Sequence, residues 1–400
     1  MLLPPSSFLG LDSRPLPPLS SVVISGAATS GCATALFLAR AGAKVTLVDR
    51  VPEPKAIGAG IAIAENGLAV LESLGLLDAM DVAKPVVGAR IVDANGRTLL
   101  APRGNPPKAV MIRRSTLQRV LLDAIATEPR IECRFGTEVV QATPDGEITL
   151  RDETGQQTLQ ADLVVGADGV HSRVRDGGTF GARVRTGIRY VRMLLEDDVA
   201  TGTEAWTPAG LFGAFGVDGG TYAFASCGTK SLGAALDNRD LAAFRAAWSR
   251  AYAPSVRILA GLASFDELLQ HEVIRVDCSR WHDGRLVLVG DAAHAMAPNL
   301  GQGANSAFVD AAVLMDELRR HETLAQSLSA YHRRRAKAVK RVAAASARLG
   351  TLAEITHVVP RTMRDRLLLP VAGLFASSRA TALLWQEPLD VLRTMGAGAR

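Results

Sequence analysis

Apolar residues follow two rhythms along this 400-residue chain, and the switches between them outline its architecture. The run VVIS (22–25) is short, β-branched and continuous, as in a strand buried on both faces. After a turn of small residues, CATALFLARAG adopts helical spacing. Ala33, Leu36, Phe37 and Ala41 recur on one face, and Gly42 stands where a helix C-cap belongs. KVTLVDR (44–50) returns to strand character. A strand, tight turn, helix and second strand within about 30 residues form a βαβ unit, so the chain opens with a nucleotide-binding fold.

The same reading predicts a helix over 66–80, short strands within 87–101 turning at Asn95-Gly96, and a helix over 115–127. Segments 131–135, 137–142, 147–151 and 157–160 read as hairpin strands, and 161–169 as a buried strand. Between 182 and 277 aromatics and glycines cluster, with two strands in 207–228 meeting at Asp218-Gly219-Gly220 and a helix over 240–252. A buried strand begins RLVLVGDAAH (285–294), followed by helices over 303–319 and 324–350 and an amphipathic helical tail. The expected organisation is a leader (1–20), a nucleotide-binding domain in two parts (21–181 and 278–350), a β-rich substrate domain inserted between them (182–277), and a C-terminal helical tail (351–400). The tail is expected to pack across both domains.

Composition narrows this picture. A chain with 48% hydrophobic and 21% charged residues has material for a sizeable core, and its length suits two packed domains. The net charge of +5 is not gathered into a patch on a nucleic-acid-binding fold, so no nucleic-acid partner is expected. The densest basic stretch, HRRRAKAVKR (332–341), spreads around a helix and is expected to be a solvated face. Residues 1–20 hold five prolines and no continuous apolar stretch, which predicts a disordered leader rather than a signal peptide. No run reaches the roughly 18 apolar residues of a membrane span. Cys32, Cys133, Cys227 and Cys278 are scattered without a C-x-x-C pair; that suits a reducing cytoplasm and predicts no metal site.

Three glycine-containing blocks carry the chemistry. The first turn reads Gly26-Ala27-Ala28-Thr29-Ser30-Gly31, a dinucleotide fingerprint with Ala28 in place of its middle glycine. Asp49, followed by Arg50, ends the second strand 23 residues after Gly26, where a carboxylate accepts hydrogen bonds from an adenosine ribose. The second block, Gly166-Ala167-Asp168-Gly169, places a carboxylate at a strand's carboxyl end, in the ligand crevice of an α/β sheet. The third runs from Gly290-Asp291 through Pro298 to Gly301-Gln302-Gly303-Ala304-Asn305. There glycines at a helix start leave backbone N–H groups open to negative charge.

In this order the blocks resemble the para-hydroxybenzoate hydroxylase family of single-component FAD monooxygenases, over roughly residues 21–350. IRRSTLQRVLLDAI (112–125) also resembles the family segment whose arginine, here Arg114, reaches the flavin. The fold class this implies is α/β: a Rossmann-like FAD-binding domain with an inserted β-sheet substrate domain and a C-terminal helical segment. The resemblance implies FAD held by Gly26, Ala28, Ser30, Gly31, Asp49, Arg50, Arg114, Asp168, Gly290, Asp291 and the stretch Gly301–Asn305. It further implies NADPH or NADH as transient donor, O2 as co-substrate, and hydroxylation or epoxidation of an electron-rich small molecule through a flavin hydroperoxide. Pro298 and Gly301 would lie beside the reacting part of the flavin. A halogenase or reductase of the same fold, or a FAD-binding protein without turnover, stays open as an alternative. Tyr190, Arg192, Phe212, Tyr222 and Phe224 are the candidate substrate-pocket residues. His294 is expected to support a strand end rather than catalyse, and no base is assigned. The protein is expected to be a soluble monomer or homodimer.

Overall fold

The computed structural model describes residues 19–53, 59–87, 89–101, 108–369 and 384–395. All of the expected leader except Leu19 and Ser20, and part of the tail, lie outside them. At the centre is a six-stranded sheet in the order His282–Asp283, Leu286–Leu288, Leu163–Gly166, Ser21–Ser25, Lys44–Asp49, Ile131–Phe135. It is parallel except at the His282–Asp283 edge. The opening strand lies in the middle. The chain passes from it to one side at Lys44 and later to the other at Leu163, which makes a topological switch point at its carboxyl end. Val22, Val23 and Ile24 are fully buried in a core shared by the helix Thr29–Arg40 and by Val139, Ile148 and Leu150 of a small antiparallel sheet. The helix Thr29–Arg40 is sandwiched between this sheet and the helix Gly303–Arg320, so Ser30 through Ala39 are all buried.

A seven-stranded sheet forms the second layer, in the order Leu269–Cys278, Ala182–Leu195, Gly220–Ser226, Gly210–Val217, Thr203–Thr207, Arg90–Asp93, Thr98–Leu100. The last two strands come from the expected first domain segment and turn at Gly96 (φ +81°). One face of this sheet is closed by helices Lys230–Asp237, Leu241–Ala251 and Ser255–Ala260, through a core that includes Phe212, Phe244 and Trp248. The other face looks toward the first domain.

Two expectations are corrected here. The predicted helix over 66–80 ends at Ser73, because Gly75 adopts φ +67° and the Gly75 and Leu76 N–H groups bond back to Glu72 and Leu71. A separate 3₁₀ turn follows at Asp78–Met80. The stretch 332–341 is not uniformly solvated either: within the helix Leu324–Ala353, Arg335 is fully buried. In the tail, Leu369 packs against Tyr190 and Trp206 of the second layer, while Leu392 and Met395 join the first domain's core.

Candidate active site

The three blocks meet at one place. A Cβ on Gly26 (φ +102°) would lie 2.5 Å from the Ala167 carbonyl oxygen, so the first and second turns are in backbone contact. Gly290 (φ +58°) packs against Ser30, which joins the first turn to the third. The buried Arg175 donates to the Val170 and Ala292 carbonyls, which ties the second block to the third.

Between the first two blocks lies a cavity of about 680 Å³, lined among others by Gly26, Ala28, Asp49, Arg50, Asp168 and Arg173. Ala28 precedes the helix Thr29–Arg40, whose first turn has no side-chain cap and no acidic residue, and it lines the cavity beside Asp49 and Asp168. The Ala28 methyl group lies exposed on the wall. Asp49 is fixed by the Ala27 N–H at 2.8 Å and the Val51 N–H at 2.9 Å. Asp168 accepts from the Arg173 and Val174 N–H groups through Oδ2, but its buried Oδ1 has no partner. Burial pushes the Asp168 carboxyl above the ordinary carboxylate value, against the hydrogen bonds that favour its charge.

The third block is held from behind. Asp310 Oδ2 accepts from the Gly290 N–H at 2.9 Å and from His294 Nε2 at 2.5 Å, while Oδ1 accepts from Arg335 Nε at 2.7 Å. Burial alone would raise the Asp310 carboxyl; His294 and Arg335 together bring it below its ordinary value. This fixes Gly290 and leaves Asp291 exposed at the start of the short helix Asp291–His294. Further on, Gly301 adopts φ +62° and Gly303 faces open space at the start of an 18-residue helix without a side-chain cap. The Asn305 amide is committed to backbone: it accepts from the Ala64 N–H and donates to the Ala62 and Gly301 carbonyls. It therefore pins the turn to the strand Gly60–Ala64. Gln302 is buried, its Oε1 accepting from Asn66 and from Gln386 of the tail.

The inner face of the second sheet completes the site. Register places Tyr190, Arg192, Tyr222 and Phe224 on that face, together with His271 and Phe215. Phe212 points the other way, 5.1 Å from Trp248 in the helix-covered core; as a pocket residue it is a correction. The Arg192 guanidinium has no hydrogen bond or ion pair among the described residues. Burial, with Arg114 nearby, lowers its pKa, and Asp291 is close enough to offset part of this. Asn299, in the turn Pro298–Leu300, approaches the Tyr190 hydroxyl at 3.5 Å, so the inner face and the third block are neighbours.

A family model described as "FAD binding domain" matches residues 20–346. The chain belongs to that family. It is 32% identical over 314 residues to 2-heptyl-3-hydroxy-4(1H)-quinolone synthase of Pseudomonas aeruginosa, covering 74% of this chain and 79% of that protein. To kynurenine 3-monooxygenase of Salinispora arenicola it is 29% identical, covering 91% and 84%. The solved tetrameric form of 2-methyl-3-hydroxypyridine-5-carboxylic acid oxygenase superposes with a TM-score of 0.75 at 25% identity, covering 89% of this chain and 95% of that one. The chain is thus an FAD-dependent monooxygenase of the para-hydroxybenzoate hydroxylase-like family, an oxidoreductase of the aromatic hydroxylase type. The family resemblance and the fold class read from the sequence are borne out. No helix among the described residues is long and apolar enough to cross a membrane.

The FAD monooxygenase also uses residues that sequence reading missed. Asp310 and Arg335 are 25 residues apart on separate helices, and no local pattern couples them. Asp218 was read only as a turn residue. Its carboxylate accepts from the Arg113 N–H at 2.6 Å and the Thr116 hydroxyl at 2.5 Å, and so ties the turn 218–220 of the second sheet to the start of the helix Arg114–Ala126. The turn signature of Asp-Gly-Gly hid this anchoring carboxylate. His294 has the supporting place expected of it.

Proposed function

We propose that this monooxygenase transfers one oxygen atom from O2 to an electron-rich aromatic ring, with NADH or NADPH as electron donor. The observation behind this reading is the crevice between the first two glycine blocks, with Asp49 and Asp168 on its wall and the third block packed against it through Gly290 and Ser30. The exposed Asp291 and the uncapped helix start at Gly303 belong to that third block, which adjoins an aromatic and cationic sheet face at Asn299. These features suit FAD. Glycines clear space for backbone approach, unopposed N–H groups suit its pyrophosphate, and free carboxylates suit its ribose and ribityl hydroxyls.

In this reading Asp49 and Arg50 receive the adenosine end, and Ala28, Ser30 and Gly31 receive the pyrophosphate. Asp168 and Asp291 hold the central part, with Gly290 clearing space for it. Arg114 and the backbone of Gly301–Ala304 face the flavin, with Asn305 shaping their turn and Pro298 at its edge. When bound, the flavin supplies the redox and oxygen chemistry. The chain supplies position and electrostatics. The helix starting at Gly303 favours negative charge at its N-terminus by about 0.3–1 kcal/mol, more when buried. Tyr190, Tyr222 and Phe224 offer apolar walls that exclude water, and Arg192 offers a cation to an oxygen-bearing substrate. The relatives named for a quinolone and a hydroxypyridine favour a nitrogen-containing aromatic.

The test is a screen of phenols, hydroxypyridines, indoles and quinolones for substrate-stimulated NAD(P)H oxidation, with mass spectrometry of products. A product heavier by one oxygen atom is expected. Rapid flavin reduction with no oxygenated product from any class would reject the proposal.

A further inference from the structure

One polar side chain on the inner face has no role so far. His271 lies on the strand Leu269–Cys278, paired in register with Tyr190, and their rings stand 6.0 Å apart. Both of its ring nitrogens are buried and neither has a hydrogen-bond partner. The Leu269 backbone bears on the ring only as the least of the influences around it. An imidazole normally satisfies at least one nitrogen when water is excluded. Two idle nitrogens beside an unpaired guanidinium, one residue pair away from the turn Pro298–Leu300, describe a ligand-facing group.

We propose that His271 is the proton acceptor of the substrate site: it takes the proton from an acidic O–H or N–H on the aromatic ring, and Arg192 pairs with the anion that remains. This deepens the aromatic-oxygenation reading above and rests on it. The step balances. The substrate O–H or N–H bond breaks, its electron pair stays on the substrate, and the proton becomes the N–H of an imidazolium. The resulting anion is richer in electrons at the ring carbons and so more readily attacked by an electrophilic oxygen.

The charges around His271 make this acceptor conditional on substrate. Burial, then Arg192 and then Arg114, bring the imidazole down to about 4 in the free protein, so it waits neutral. Tyr190 stands opposite, and Glu204 and Glu354 bear on Tyr190. Asp291 bears on Arg192. A substrate anion paired with Arg192 cancels part of the positive field on His271, and the imidazole regains basicity only with substrate in place. The substrate class implied is an aromatic with an ionisable ring O–H or N–H. An ether or an N-alkyl analogue has no proton to give.

The test uses FAD-loaded protein and 4-nitrophenol, a phenol whose ionisation is visible by absorbance, with 4-nitroanisole as the proton-free control. On the wild type, bound 4-nitrophenol is expected to ionise at lower pH than in solution. In His271→Gln the midpoint should move back up by about one unit or more. With a turned-over phenol, His271→Gln should lose about 100-fold in product formation at neutral pH, with flavin reduction unaffected. An unchanged midpoint in His271→Gln, or no saturable phenol binding by yellow wild-type protein, overturns the proposal. If phenol ionises on the wild type but no compound gains oxygen, the oxygenation reading fails while His271 stands as proton acceptor.

Discussion

Asp310 and Arg335 meet at 2.7 Å, and neither side chain is exposed to solvent. The pair holds Gly290 by its N–H and His294 by its ring, so the backbone ahead of Asp291 is set by a charge pair on two helices behind it. Removing one member leaves the other charged in the core. Arg335→Met is therefore expected to lower unfolding free energy by about 3–5 kcal/mol, and pairing it with Asp310→Asn should recover part of the loss. Urea unfolding of the FAD-loaded variants measures both. Equal stability of the single variant and wild type would contradict this account.

Asp49 lines the crevice where the proposed reading puts the adenosine, and two backbone N–H groups fix its direction. Asp49→Asn keeps one oxygen for the two N–H groups, which bind separate carboxylate oxygens, and loses the charge offered to a ribose. Hydrogen bonds to charged groups contribute about 1.5–3 kcal/mol, so FAD affinity should weaken about tenfold to a hundredfold, with a smaller fall in the thermal midpoint of the apoprotein from the lost backbone contact. Calorimetric titration with FAD reads the first, and a melt of the apoprotein the second.

Glu204 gives a pH dependence of known sign. Burial pushes its carboxyl up to about 7, despite the Trp206 indole N–H at 2.7 Å, and Glu354 adds to the rise. The unfolded chain ionises this group near 4.5, so its contribution to stability is complete below that pH and is lost as pH rises through 7. Thermal melts between about pH 5 and about pH 8 should show wild type declining relative to Glu204→Gln, which has no proton to lose. Parallel curves would show that Glu204 ionises freely in the fold.

Asp218 joins the two layers. It anchors the start of the helix Arg114–Ala126 through Arg113 and Thr116, while Arg113 in turn donates to the Gly219 carbonyl. Losing hydrogen bonds to a charged group costs about 1.5–3 kcal/mol. Asp218→Ala should show that loss, and because Arg114 opens the same helix, it should also release more peroxide per NAD(P)H consumed. Peroxide assays beside product quantification test the second effect.

The parts of this site legible in the sequence were those with a local signature. Glycines at 26, 31, 290 and 301 announce positive φ or close approach, and β-branched runs announce buried parallel strands. What escaped was set by distance. The partner of Asp310 lies on another helix, and Gln386 reaches Gln302, Ser306 and Arg335 from the tail. Phe212 and Phe224 look alike by composition. Strand alternation says that they differ in face only once the register is known, and register is a property of the partner strand. His271 was invisible for the same reason: its neighbour across the sheet is 81 positions away.

The tail's role in that turn has a temporal side. Leu384 and Gln386 provide partners for Asn66, Gln302, Ser306 and Arg335, and Glu387 binds Arg334. During synthesis, the turn around Gly301 therefore lacks its full set of contacts until these late residues have left the ribosome. If the coenzyme sits against that turn, as proposed, its tight capture waits for residues 384–387.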